Sequence, residues 1–244
     1  MRFIRKKPSP QAFEDWKRAN KPADWSDLMN EPTHREEDVL YYTKDELRST
    51  LLAEQGHLCC YCQRRIENTE STVIEHLFPR NGEDKMQGKA KTFEYSNLMA
   101  SCDGGALANR DRNKKEPATP SYPEYCDRSK QEKLLPLSPL DPDVESRFTY
   151  SIADDKVNIV GKDPEAISTI QEILNLNTPF LEKRRGEAIA GLIFEDQEKL
   201  QFISIETAKK LLVSYQQQED NAGGHLSEFF RVKLHFLQLF SGDI

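Results

Sequence analysis

The 244-residue chain is 37% hydrophobic and 31% charged, with a mean hydropathy of -0.74, and no apolar run in it approaches the ~18 residues that a membrane span needs. Its net charge of -7 argues against a protein that coats nucleic acid by charge alone. Acids and bases balance as far as residue 140, and the whole acidic excess follows. Two regions are expected, 1–140 and 141–244, the first meeting any nucleic acid and the acidic second facing a protein or solvent. The N-terminal segment carries Arg2, Arg5, Lys6 and Lys7 but lacks the apolar stretch of a secretory signal, so a cytoplasmic location is expected.

Residues 1–9 read as a short strand and a basic arm. Gln11 to Asn20 reads as a helix with Phe13 and Trp16 on one face, followed by an irregular stretch from 20 to 40. Thr43-Lys-Asp-Glu46 is a capping box, predicting a helix to about Gln55 that Gly56 stops. Two β-prone runs, Cys59 to Ile66 and Ser71 to Phe78, predict a hairpin turning at 67–70. Residues 80–92 read as a loop, and Tyr95 to Ser101 as the start of a helix that breaks at Gly104-Gly105. The proline-rich stretch 117–139 reads as an irregular crossing. Phe148 to Ile152 and Lys156 to Val160 predict a second hairpin. Helices are then expected from Pro164 to Leu174, from Thr178-Pro179 to Leu200, from Ser204 to Gln218 and from His225 to Phe240, the last apolar on more than one face and read as core ahead of a docking surface. The fold class expected is α+β.

The cysteines carry the first chemical signal. Five of them, an odd number, do not suggest disulfides in a cytoplasmic chain, where clustered cysteines more often bind metal. Cys59-Cys-Tyr-Cys62 can present two sulfurs to one zinc ion from a tight turn, and Cys102 and Cys126 are the candidates to close the tetrahedron. They stand 23 residues apart instead of two, so a surface insertion would have to separate them. Cys60 is then a packed thiol. Between the cysteine pairs lie Glu75-His76 at the end of a β-prone run and Asn97 shortly before Cys102. Asp127 and Lys130 follow Cys126.

This series, C-x-x-C, E-H-x-x-P, N-L-x-x-x-C and C-D-x-x-K, resembles the zinc-containing HNH endonucleases. Their ββα-metal fold packs a hairpin and a helix around one catalytic divalent ion. More narrowly, the elements C-C-Y-C-Q-R-R-I, I-E-H-L-F-P, N-L-M-A-S-C and C-D-R-S-K, with a helical tail, resemble the HNH subunit of Septu-type anti-phage systems, relatives of which accompany retrons. The match covers roughly residues 57 to 130. It implies an HNH core at about 42–135 ahead of a mainly helical region that docks a partner.

The same resemblance implies that His76 is the general base, that Glu75 and Asp127 hold a catalytic Mg2+ or Mn2+, that Asn97 braces the loop carrying the histidine, and that Lys130 contacts the scissile phosphate. Glu75 stands where the family commonly has Asp, and Asp127 where it has Asn or His. Both remain oxygen donors. Asn109 or Asn113 is the fallback ligand if Cys126 is misaligned. Implied partners are an ABC-type ATPase and, in retrons, a reverse transcriptase with its DNA/RNA hybrid. Arg64, Arg65, Arg80, Lys114 and Lys115, with Lys85, Lys89, Lys91, Arg110 and Arg112 nearby, are candidates to hold the phosphate backbone. Interspersed acids predict weak binding by the chain alone. Two other readings stay open: a non-catalytic zinc-knuckle module that binds nucleic acid or protein, and a chain whose helical part carries the function.

Overall fold

Three residues of spacing put Phe13 and Trp16 on one side of a helix. In the computed structural model, which describes residues 1–30, 40–116, 119–196, 201–220 and 224–242, they form the buried face of α1 (Gln11–Asn20). The arm ahead of it is not a strand. Met1 and Ile4 are buried in the core, and the Ile4 N–H donates to the Pro139 carbonyl at 2.8 Å. The capping box forms as expected: the Glu46 N–H donates to Thr43 Oγ1 (3.1 Å) and the Thr43 N–H to Glu46 Oε2 (2.7 Å), opening α2 (Lys44–Glu54). The chain leaves it through Gly56 at φ +65°. Of the stretch read as irregular, a 3-10 turn at Trp25–Asp27 is ordered, and residues 31–39 lie outside the described ones.

The strand pairing departs from expectation. Cys59 to Ile66 is a turn closed by a single bridge between Leu58 and Arg65. β1 (Thr72–His76) pairs instead with β2 (Leu98–Cys102), antiparallel, with Glu75 opposite Met99 and His76 opposite Leu98. A helix was expected at β2, but every residue of it is buried and α2 packs across both strands, so tertiary packing overrides the local preference of Leu-Met-Ala. The long connection between the strands carries α3 (Lys85–Ala90) and a 3-10 turn at Tyr95–Asn97. Beyond β2 come α4 (Ala106–Lys115), which the sequence reading missed, and the short α5 (Asp127–Lys130) inside the proline-rich crossing.

β3 (Phe148–Ala153) and β4 (Lys156–Gly161) form the second hairpin as expected. α6 (Pro164–Ile167) runs on as a π-helical turn at Ser168–Ile173. α7 (Pro179–Ile193), capped by Thr178, ends well before Leu200 because Phe194 enters β5 (Phe194–Asp196), pairs with β6 (Gln201–Phe202) and stacks its ring on Phe202 at 4.7 Å. α8 (Ile205–Asp220) and α9 (Phe230–Ser241) complete the fold. The last helix starts later than expected, since Phe229 takes φ +54° just ahead of it. Its Phe230, Val232, Leu234, Phe236 and Leu237 are buried, so this helix is core.

The architecture is mixed α+β, with two-stranded antiparallel sheets set among helices. The largest hydrophobic cluster extends from Met1 to Leu181, and two smaller ones gather α7, α8 and α9. Among the described residues no helix is long and apolar enough to cross a membrane. α7 approaches the second hairpin so closely at Gly186 that a Cβ there would lie 1.8 Å from the Asp155 carbonyl oxygen, whereas Gly191, later in the same helix, has nothing within 4 Å. Gly186→Ala is therefore expected to cost about 3 kcal/mol or more by overpacking. Gly191→Ala should be neutral or gain up to about 1 kcal/mol from helix propensity. Urea denaturation of the two variants checks this, and equal effects would contradict the packing described.

Candidate metal centre and active site

The turn at Cys59–Cys62 is held by two backbone bonds, Gln63 N–H to the Cys59 carbonyl (3.1 Å) and Cys59 N–H to the Arg64 carbonyl (2.9 Å), with Gln63 at φ +64°. It is pinned to the sheet by the Cys60 N–H on the Ala100 carbonyl (3.1 Å) and by the Cys102 N–H, which donates to Cys59 Sγ (3.3 Å). Cys126 is delivered from the other side by its N–H bond to the Leu174 carbonyl (2.9 Å). The sulfurs of Cys59, Cys62, Cys102 and Cys126 all fall within 4.8 Å of one another, all are buried, and none is in a disulfide. Two of the spacings, Cys59 to Cys126 and Cys62 to Cys102, are 3.8 Å. A tetrahedron with zinc–sulfur bonds of ~2.3 Å has edges of roughly 3.8 Å, so the quartet could hold zinc with little rearrangement. Cys60 stays out of the quartet as a buried thiol, pushed up by burial and by its neighbour Cys59. Two cations stand near the sulfurs: Arg64, whose guanidinium donates to the Tyr125 hydroxyl at 2.7 Å, and the fully buried Arg185, which donates to the Val157 and Leu176 carbonyls at 2.8 Å each. They offset the negative charge that four thiolates around a divalent ion would carry.

Beside this quartet, the end of β1 gathers a second polar group. Glu75 is 4% exposed; its Oε1 accepts from the Tyr61 hydroxyl (2.9 Å) and lies 2.7 Å from Lys130 Nζ. Asp127 is within hydrogen-bond reach of the same carboxyl. Burial pushes the Glu75 carboxyl well above the ordinary range, the bond with Asp127 adds to this, and the Lys130 ammonium opposes both. The Lys130 ammonium pairs with Glu75, and a proton on the raised carboxyl bridges it to Asp127. Two carboxyls side by side are the oxygen donors a hard divalent cation takes, and such an ion would displace the shared proton.

His76 lies next along the strand and is 7% exposed. Its Nε2 donates to the Thr92 carbonyl at 3.1 Å, which fixes the tautomer and leaves the Nδ1 lone pair with no protein partner among the described residues. The Trp25 ring meets the imidazole edge-on at 4.6 Å. Burial and the nearby Arg80 pull the histidine down to about 3, so it is neutral at pH 7. Asn97 spans the connection, accepting from the Phe78 N–H (2.7 Å) and donating to the Phe78 and Lys91 carbonyls (3.1 Å each). It thereby ties down the residues just after His76.

The structure thus links Glu75 to Lys130 and Asp127 and, through the Lys130 bond to the His76 carbonyl, to the histidine's backbone, while the His76 ring meets Trp25 and Thr92 and Asn97 braces the residues after it. Lys130 departs from expectation. At 1% exposure, bound to Glu75 and to the His76 carbonyl (3.1 Å), it faces inward and has no surface to offer a phosphate. Asn109 braces a loop through Tyr122, accepting from its N–H at 2.7 Å and donating to its carbonyl at 3.1 Å; it does not meet Glu75. Asn113 is exposed on α4. Of the basic candidates, Arg64 is tied to Tyr125 beneath the Phe180 ring, and Arg65 is tied to His225 and the Leu226 carbonyl, so neither is a free surface cation. Arg80 lies over the Trp25 ring near His76, and Lys114 and Lys115 are exposed at the end of α4. Trp25, Tyr61, Thr92 and Arg185 went unnoticed in the sequence. Only Tyr61, enclosed between two zinc-candidate cysteines, had a local signal that could have marked it.

No family model matches the chain. The chain is 29% identical over 155 residues, 62% of its own length and 67% of the relative's, to a protein of Vibrio cholerae serotype O1 biovar El Tor named as a candidate HNH endonuclease of retron Vc95. That likeness places the chain beside a retron-associated nuclease of the HNH kind.

Proposed function

We propose that the chain is an HNH endonuclease that hydrolyses nucleic-acid phosphodiester bonds, DNA first and structured RNA second, as the effector of a retron- or Septu-type defence complex. The observation that carries this reading is the placement, at the end of one strand, of a neutral histidine with a free Nδ1, a buried carboxyl with a second carboxyl beside it, and a bracing asparagine. β1, β2 and α5 would be the strands and the helix of a ββα-metal core, held to the zinc quartet through Cys102 and Cys126.

Glu75 and Asp127 would hold Mg2+ or Mn2+, which when bound supplies positive charge to the phosphate and its departing 3' oxygen. His76 Nδ1 takes the proton of the attacking water, while the Thr92 carbonyl keeps the proton on Nε2 and holds the ring in place. A base drawn down to about 3 is weak. Entry of a phosphate beside Arg80 would cancel one of the charges that depress it and raise its basicity when substrate is present. Asn97 keeps the histidine loop from moving with the ring. Lys130 holds the Glu75 carboxylate from behind and acts as a positioning residue.

The chain's net charge of -7, with Arg64 and Arg65 tied down inside the fold, supports targeting by a partner, an ABC-type ATPase or a retron reverse transcriptase with its DNA/RNA hybrid. The acidic region after residue 140 is the proposed docking side. One observation favours a second reading, a non-catalytic zinc module: Glu75 already has a buried counter-ion in Lys130. Co-expression with the products of the neighbouring genes, followed by incubation with plasmid DNA and total RNA, separates the two. The nuclease reading expects cleavage with Mg2+ or Mn2+ that EDTA abolishes. Intact DNA and RNA in the presence of metal and partners would favour the module.

A further inference from the structure

Outside the cysteine quartet and the carboxyl pair, the fold assembles another set of side chains that could hold a metal ion. His57 follows Gly56 in the turn after α2 and is fixed on both sides by backbone bonds, its N–H to the Leu52 carbonyl (2.8 Å) and its carbonyl from the Ile66 N–H (3.0 Å). That second bond brings Glu67, the next residue, alongside it. His225 comes from the loop ahead of α9, which is docked by the Leu226 N–H on the Gly56 carbonyl (3.0 Å). Only glycine permits this approach, since a Cβ on Gly56 would lie 2.6 Å from Leu226 Cγ. One ligand atom from each of His57, Glu67 and His225 lies within 4.8 Å of the other two.

We propose that His57, Glu67 and His225 bind a divalent cation of the zinc class, and that the ion clasps the loop before the last helix to the cysteine-bearing turn. His57 Nδ1 is a buried ring nitrogen with no hydrogen bond, and it faces Glu67 Oε2 at 3.5 Å. That gap is long for a hydrogen bond but close to the roughly 3.4 Å edge of a tetrahedron whose metal–nitrogen and metal–oxygen bonds are those of zinc. Two imidazoles and one carboxylate select a borderline ion over magnesium, which takes oxygen donors and water. The His57 and His225 rings stack at 3.8 Å, nearly parallel, and Arg65 donates to His225 Nδ1 at 3.0 Å. Parallel rings cannot aim two in-plane lone pairs at one ion, so binding requires the exposed His225 ring to turn out of the stack and release Arg65.

Metal content of the full-length chain after equilibration with micromolar Zn2+ and desalting tests this, comparing wild type with His225→Ala and Glu67→Gln. The wild type should retain one more zinc per chain than either variant. With Co2+ in place of zinc, that extra equivalent should add weak visible bands while the sulfur-to-cobalt charge-transfer band of the cysteine quartet stays unchanged in all three proteins. Both altered side chains are exposed, and the unchanged thiolate band reports that each variant is folded. Because the readout is the difference between proteins that share the Glu75 site, ions bound there cancel. Equal zinc content in wild type and both variants would overturn the proposal.

Discussion

Serine at Cys102 or Cys126, or removal of zinc by a strong chelator, is expected to abolish the cooperative unfolding transition of the cysteine-bearing core. The four sulfurs join the turn after α2, the end of β2 and the start of α5 at one buried point. Structural zinc contributes about 10–16 kcal/mol in small zinc-folded peptides. The net stability of a domain is only about 5–15 kcal/mol, so little folded protein should survive its loss. Cys126 also sits at φ +52°, a conformation that a non-glycine residue keeps only when its surroundings enforce it. Cys60→Ser, altering the buried thiol outside the quartet, should cost only about 1–3 kcal/mol as an unpartnered buried hydroxyl. Thermal melting followed by circular dichroism, with released zinc read by a chromogenic chelator, makes the comparison. A zinc-free protein that melts as the wild type does would show that the cysteines are merely packed.

Lys130→Met is the second large effect. It leaves the buried Glu75 beside Asp127 without the Lys130 ammonium, and breaking a buried pair in this way costs about 3–5 kcal/mol. The sign with pH follows from the raised Glu75. The folded protein would hold a proton on the carboxyl pair at pH values where the unfolded chain, titrating in the ordinary range, has lost it. Stability contributed by that proton is present below the unfolded value and is lost as pH rises through the folded one. The variant should therefore approach wild-type stability near pH 4–5 and fall behind toward pH 8. Mn2+ should recover more stability for Lys130→Met than for wild type, because it replaces a charge the variant lacks. Guanidinium denaturation at the two pH values measures this, and a pH-independent deficit would mean that Lys130 acts through packing alone.

What was legible in the sequence followed local rules. The Thr43 to Glu46 capping box, the hairpin around Asp154 and the Pro179 helix start each depend on a few adjacent residues, and each formed. The four cysteines were legible as a set because residues able to hold one zinc ion form a chemical signature that survives an insertion of 23 residues. β2 was not legible: Leu98 to Cys102 becomes a strand because it is enclosed between β1 and α2, which no local propensity records. Lys130 was misplaced for a related reason. A lysine near a nuclease motif suggests phosphate, but burial against Glu75 depends on where α5 docks. Tyr61, Thr92 and the pairing of His57 with His225 depend on contacts made across 14 to 168 residues of chain, beyond any motif's reach.

Cleavage by His76→Ala against wild type, each co-expressed with its partners and supplied with Mg2+ or Mn2+ on plasmid DNA and total RNA, tests the central claim most directly. Loss of a general base typically costs about 10²–10⁴-fold, and the His76 side chain, held by one carbonyl and one aromatic edge, can be truncated without removing a charge at pH 7. A loss in that range, with folding and zinc content unchanged, is the predicted result. Cleavage at the wild-type rate by the variant would contradict it and place the chemistry elsewhere in the complex.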